Sequence, residues 1–402
     1  MNWSALFVSA AVLSQAAFAD DWPQWRGPDR NGISQEKNWL DHWPTDGPRI
    51  AWKASVGLGF SSIIVFGGKA VTVGHSEGKD TLFCFDAVSG QEIWKHSYPS
   101  ELGDKFFPGG TTGSATFADG SVYWLSRWGD LFCLNAADGK VQWQRQIQKE
   151  TDVPVPTWGF TGAPTVHQNL LILNVGEAGL AVDRKTGKTV WESAKTEAGY
   201  STPLPVKRAG RMETLIGNGK GYVSVDPLTG KEFWRMKWLT QYGVNAADPI
   251  PVEDRVFIST GYGKGAALIN PKGDGEPEVI WKSKVLRTQL NPGILLGKYI
   301  YGEDGDTGDK GSLKCIEAET GVEKWAQKGF GTGGITIASG KLIALSAQGE
   351  LMVAPATPDG FTPTAQAQIL GGQSWTAPVL ANGLVYCRNS KGEIAVVDLR
   401  QK

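Results

Sequence analysis

The amino-acid sequence predicts an all-β chain, an eight-bladed β-propeller with four antiparallel strands per blade. Three observations carry the prediction. A strand–turn–strand unit ending in Trp recurs along the chain, a second hairpin signal lies between consecutive copies, and the two ends hold half-units that complete each other.

The clearest copy of the unit is Phe83-Cys84-Phe85-Asp86-Ala87-Val88-Ser89-Gly90-Gln91-Glu92-Ile93-Trp94. It reads as an apolar strand, an Asp, three residues, a Gly, three residues and a Trp. The same order recurs at Asn135/Gly139/Trp143, Asp183/Gly187/Trp191, Asp226/Gly230/Trp234 and Glu317/Gly321/Trp325. A looser copy has Asn270 and Trp281 with extra residues in its turn, and a decayed one, Leu351-Met352-Val353-Ala354-Pro355, lacks the Trp. Asp or Asn bonds its own turn backbone, and Gly supplies the positive φ. The Trp then stands on the returning strand, where its ring can pack on a neighbouring sheet. Between copies, Ala118-Asp119-Gly120-Ser121 and Ala381-Asn382-Gly383-Leu384 join β-rich runs through Asp-Gly and Asn-Gly, strong two-residue hairpin signals. Two hairpins per repeat make a four-stranded blade.

The ends set the count at eight. Glu393-Ile394-Ala395-Val396-Val397-Asp398 is a strand with its Asp and no Trp strand after it. Pro48-Arg49-Ile50-Ala51-Trp52-Lys53 is a Trp strand with nothing before it. Pairing them closes the ring and removes an open sheet edge. The remaining Trp strands stand at Trp94, Trp143, Trp191, Trp234, Trp281 and Trp325, with a degenerate one near Ala365.

Composition narrows the function. The 402 residues carry 40 Lys+Arg against 41 Asp+Glu, which argues against a broad electrostatic grip on nucleic acid or an anionic membrane. Four cysteines are too few for a disulfide scaffold. The apolar run Ala5 to Leu13, followed by Ala17-Phe18-Ala19, reads as an export signal over residues 1–19, cleaved after Ala19. The mature chain is then expected in the periplasm or outside the cell, as a monomer with no integral membrane segment. Residues 20–47, with Trp22, Trp25, Trp39 and Trp43, read as an extended cover lying across the side or one face of the propeller. Trp22 and Trp25 are expected to anchor that cover rather than bind a ligand. The propeller itself takes residues 48–402.

The repeat resembles that of the pyrroloquinoline-quinone (PQQ) family of eight-bladed, tryptophan-docking propellers, over residues 48–402. Trp22-Pro23-Gln24-Trp25-Arg26-Gly27-Pro28-Asp29-Arg30-Asn31-Gly32 also resembles the opening of exported PQQ-like proteins of planctomycete and verrucomicrobial bacteria. The resemblance implies one of two roles. In quinoprotein dehydrogenases PQQ lies on the propeller axis beside Ca²⁺ or a lanthanide, and many clamp it with a ring of two adjacent cysteines. Here Cys84, Cys133, Cys315 and Cys387 are all separate, and three of them occupy one repeat position, a place for small buried filler. A haem-attachment Cys-x-x-Cys-His is also missing. The other branch is similar to the propeller subunit of the outer-membrane β-barrel assembly machinery and binds protein partners without a quinone.

The repeat register places the loops that enter each innermost strand, and those joining the second and third strands, around one end of the axis. The candidate ligand-binding residues on that funnel face are Arg127, Trp158, Phe160, Glu177, Tyr242, Asn245, Asn291, Asp304, Trp375 and Arg388. Aromatics with a few charges suit a ring-bearing ligand or a protein partner anchored through aromatics and Arg. The favoured expectation is an exported, non-catalytic binding or scaffold propeller, with no catalytic residue and no metal ligand assigned. The alternatives are a PQQ- and Ca²⁺-dependent alcohol or sugar dehydrogenase and a carbohydrate-binding propeller. In the first of these, Glu177, Asn174 or Asp304 would ligate the metal and Trp158 or Trp375 would stack on the quinone. Glycine-rich mimics such as Thr186-Gly187-Lys188-Thr189 fall in repeat turns and read as turns. The acidic loop Glu303-Asp304-Gly305-Asp306-Thr307-Gly308-Asp309 departs from Ca²⁺-loop order and reads as a solvated turn.

Overall fold

The computed structural model describes residues 20–306 and 310–401; the expected export signal lies outside them. Eight antiparallel sheets follow one another along the chain. The first blade is Ile64–Phe66, Lys69–Ser76, Lys79–Asp86 and Glu92–Pro99, from innermost to outermost strand. The next six use residues 116–146, 165–192, 204–237, 250–283, 294–328 and 334–368. The eighth is Val379–Ala381, Leu384–Arg388 and Glu393–Asp398, completed on its outer edge by Ile50–Ser55 from the other end of the chain. The ring therefore closes as the two half-units require. The degenerate strand near Ala365 is present as Ala365–Gln368.

Each interface between neighbouring blades holds its own buried cluster, so the core is a ring of eight packets rather than one mass. The repeat explains the packets. The indole N–H of Trp52, Trp94, Trp143, Trp191, Trp281 and Trp325 donates to a turn carbonyl of the next blade, at Ala87, Ala136, Arg184, Pro227, Ala318 and Thr357, over 2.8–3.2 Å. The turn glycine of that next blade lies on the ring. A Cβ on Gly90, Gly139, Gly187, Gly230 or Gly321 would stand 2.5–3.0 Å from the indole, and each has φ near +70°. The glycine is thus demanded twice, by conformation and by close approach. Cys84, Cys133 and Cys315 pair in register with Trp94, Trp143 and Trp325, and all four cysteines are buried and free.

Trp234 breaks the pattern. The turn of the following blade carries the extra residues, and Trp234 instead donates 2.9 Å to buried Glu213 Oε2. Arg208 pairs with Glu213 over 2.6 Å and donates to the carbonyls of Asp254 and Pro271, spanning the gap.

The N-terminal segment takes a path inside the ring. Trp22 pairs with Val65, Phe117 N–H donates to Pro23 O, Arg30 donates to Val166 O, and Ile33–Ser34 adds in parallel to Gly334–Ala338. These partners are innermost strands of the first, second, third and seventh blades. Residues 22–34 therefore run across the axis, along the strand ends remote from the funnel. Trp39 then packs into the buried cluster between the last two blades and bridges Arg400. Among the described residues no helix is long and apolar enough to cross a membrane.

Candidate functional site

The loops that enter the innermost strands are held open at one end of the axis. There they enclose a cavity of about 250 Å³. Its wall includes Phe60, Phe106, Phe107, Trp158, Tyr200, Tyr262 and Trp375. Trp25, from the segment crossing the axis, also lines it and closes it from below, so a through-channel becomes a cup.

The rings form two arcs. Trp375 stacks on Phe60 at 5.1 Å and 22°, and Phe60 meets Phe107 at 5.9 Å. On the other side Phe106 meets Trp158 at 6.1 Å, Trp158 meets Tyr200 edge-on at 5.8 Å, and Tyr242 bridges Trp158 and Tyr262 at 6.2 and 5.6 Å. Tyr242 is 62% exposed and stands on the rim, with φ at +60°. Such offset and edge-on contacts hold one ring against the next around the cavity. Between the arcs lie Gln289, Leu290 and Asn291.

Among the described residues the lining contains one carboxyl, Asp248, and neither Lys nor Arg. Asp248 Oδ2 accepts from Trp25 Nε1 at 2.7 Å and Oδ1 from Thr202 N–H at 2.7 Å. Burial pushes its pKa up to about 6, against the opposing pull of Arg26. Arg26 lies under the floor, where its guanidinium donates to the carbonyls of Arg30, Asn31, Pro292 and Gly293. Behind the wall, Glu303 Oε1 accepts from Gln289 and Leu290 N–H at 2.7 and 2.9 Å, while its Oε2 is buried without a partner. Burial raises the Glu303 pKa to about 8. Thr112 Oγ1, Tyr200 OH and Gln289 Oε1, all on lining residues, also lack a partner among the described residues.

Of the ten candidates named from the sequence, Trp158, Asn291 and Trp375 line the cup and Tyr242 forms its rim. Asn291 donates to the carbonyls of Trp375 and Gly333, joining the two sides. The other six stand behind or away from the wall. Arg127 donates to Leu102 and Gly110 carbonyls and lies 4.9 Å from the Phe107 ring, so it holds the loop that carries Phe106 and Phe107. Asn245 is buried on Asn218, Trp238 and Thr260. Phe160 is fully buried in the packet between the second and third blades. Glu177 pairs with Lys220 and Arg235. Asp304 pairs with Arg287 and Lys314, both within 3.0 Å. Arg388 is buried and donates to Ser61 O, Thr72 Oγ1 and Val73 O at 2.7–2.8 Å, tying the last blade to the first. Burial lowers its pKa to about 9.

Asp248 and the floor role of Trp25 were not singled out from the sequence. A signal for Asp248 existed. It precedes Pro249-Ile250 at the start of an innermost strand, where other blades place Ala163, Thr202 or Ala377 before Pro.

PQQ brings three carboxylates and an ortho-quinone, and the dehydrogenases hold it beside a metal ion. Among the described residues the cup lining offers no cationic side chain to those carboxylates and adds one carboxyl of its own. Among the described residues no group of three or more His, Cys, Asp or Glu gathers to hold an ion. The residues present do not fit that cofactor.

The chain is similar to the outer membrane protein assembly factor BamB of Yersinia pestis, with 22% identity over 374 residues, covering 86% of this chain and 88% of that protein. It is also similar to the quinohemoprotein alcohol dehydrogenase ADH-IIG of Pseudomonas putida, with 26% identity over 238 residues, which is 54% of this chain and 32% of that protein. The chain thus spans about a third of that dehydrogenase. Among solved structures, BamB of Moraxella catarrhalis superposes with a TM-score of 0.65 at 17% identity, covering 87% of this chain and 99% of that one. The quinohemoprotein alcohol dehydrogenase of Comamonas testosteroni gives 0.68 at 14%, covering 97% and 82%. At these identities both show the fold alone. The family model described as outer membrane protein assembly factor BamB matches residues 105–327, more than half of the chain, and the chain belongs to that family of PQQ-like eight-bladed propellers.

Proposed function

We propose that the chain is an exported, non-catalytic binding propeller that offers its aromatic cup to a protein partner or a small ligand. One observation carries the reading: the axial cavity is floored by the chain's own N-terminal segment and lined by aromatic rings with, among the described residues, a single carboxyl and neither Lys nor Arg. Rigid rings present large contact area at low entropic cost, the usual anchor of a binding surface. The similarity to BamB along most of both chains supports a protein partner and an exported location. The similarity to quinoprotein dehydrogenases covers a smaller share of those enzymes, and the cup lacks counter-charges for the quinone.

The test is titration calorimetry of the purified chain with PQQ, with and without Ca²⁺. No saturable heat is expected at protein concentrations of tens of micromolar, which exceeds the dissociation constant of any site of roughly micromolar affinity or better. Saturation near one equivalent, strengthened by Ca²⁺, overturns the reading in favour of a dehydrogenase. A photo-crosslinking side chain at Tyr242 on the rim is expected to capture an occupant in the exporting cell, whereas the same group at Val279 on an outer strand is not.

A further inference from the structure

We propose that the cup selects an organic cation: an alkylammonium or guanidinium group, free or at the tip of a partner's side chain, seated among the ring faces above Asp248. The inference rests on the binding reading above and specifies the chemistry of its occupant.

The choice among ligand classes follows from charge. Aromatic faces carry the negative end of the ring quadrupole, so a group surrounded by them meets a favourable field if it is positive. The lining adds a carboxylate at the floor and, among the described residues, no cation. Glu303 stands directly behind the Gln289–Leu290 wall and contributes no positive charge in either protonation state. An anion entering the cup would leave water for a site with no donor cation, at a cost that nothing in the lining offsets.

The nearby positive groups are already engaged. Arg26, beneath the floor, directs its guanidinium to four main-chain carbonyls; its charge acts on Asp248 through space, without a hydrogen bond between them. Arg127 lies over Phe107 and Lys105 over Phe106, at 4.9 and 5.1 Å, so two rings of the wall already hold a cation. The faces of Phe60, Trp158, Trp375 and Trp25 have no such partner among the described residues and line the same cavity. The pull of Asp248 reaches an occupant through a site partly closed to water, where charge is screened less than at an open surface.

The experiment compares choline with its neutral isostere 3,3-dimethylbutan-1-ol, by calorimetry and by tryptophan emission on the full purified chain. Choline is expected to bind saturably and about tenfold more tightly than the alcohol, the discrimination cation–π contacts and one carboxylate supply. Asp248→Asn should weaken choline several-fold and leave the alcohol unchanged. Trp158→Ala, on the half-exposed wall, should weaken both and serves if the Asp248 variant fails to fold. Equal affinities for choline and the alcohol overturn the cation inference while leaving a binding cup. Absence of saturation by choline overturns it too. Saturable PQQ binding with Ca²⁺ would instead remove the reading on which it rests, so the two failures are distinguishable.

Discussion

Glu303, Glu36 and Asp248 are carboxyls buried where the loss of water disfavours their charge. Burial raises Glu303 to about 8, Glu36 to about 7 and Asp248 to about 6. For Glu303, the backbone N–H groups of Leu290, Gln289 and Asn291 oppose the shift and burial outweighs them. A raised carboxyl pKa means that the folded state holds the proton more tightly than the unfolded chain does. The resulting stabilisation is fully present below the unfolded value near 4.5 and is lost as pH rises through about 8. Glu303→Gln removes that titration. Urea unfolding between pH 5 and 9 should show the wild type losing more stability than the variant across this window. Parallel curves would mean that Glu303 is ionised and solvated in the folded protein. At the same scale Asp248 couples to ligand: a cation held in part by its charge should be released as pH falls through about 6.

At the scale of the element, the unit that matters is the Trp of one blade and the turn glycine of the next. A paired substitution separates the two demands on that glycine. Gly210 has φ +78° and nothing within 4 Å of an added Cβ, whereas Gly230 has φ +71° and a Cβ would stand 2.6 Å from Trp191. Gly210→Ala should cost about 1 kcal/mol for the left-handed backbone alone. Gly230→Ala should cost a further 1–3 kcal/mol, roughly, for overpacking the ring. Equal losses in urea unfolding would show that the docked ring is free to move. The Asp-Gly hairpin at Asp119-Gly120, with both φ values positive, behaves as its residues require. Trp234 was legible as a repeat Trp but its partner was not. The inserted residues after Asn270 remove the usual carbonyl, and a buried Arg208–Glu213 pair, distant from the repeat turn in sequence, takes its place.

At the scale of the whole molecule, two devices complete the ring. Ile50–Ser55 closes the eighth blade, and residues 22–34 cross the axis. The crossing segment depends on Arg26. Replacing it by Ala strands the carbonyls of Pro292 and Gly293 and should cost about 2 kcal/mol or more. Hydrogen exchange offers the finer readout. The amides of Val65, Phe117 and Ile337 donate to Trp22, Pro23 and Gly32, and they should exchange faster in Arg26→Ala while amides in mid-blade do not. Uniform acceleration would mean that the segment unfolds only with the whole propeller.

The sequence by itself determined the blade count, the strand order within a blade, the docking Trp and its glycine, and the closure by both termini. Each of these depends on residues a few positions apart or on a pattern repeated at regular intervals, so local chemistry carries the information. It also named Trp158, Asn291 and Trp375 of the cup's wall and Tyr242 of its rim, because loop position follows from repeat register. Only the tertiary structure decided which candidates face the cavity. Arg127, Asn245 and Arg388 occupy loop or strand positions that the register directs towards the axis, yet unpaired main-chain carbonyls nearby capture their side chains, since a buried donor without a partner is costly. The floor was the least legible part. Trp25 and Asp248 are 223 positions apart, and no repeat relates them. Their meeting follows from the path of an irregular segment, and that path is set by the inner strands it crosses rather than by its own sequence.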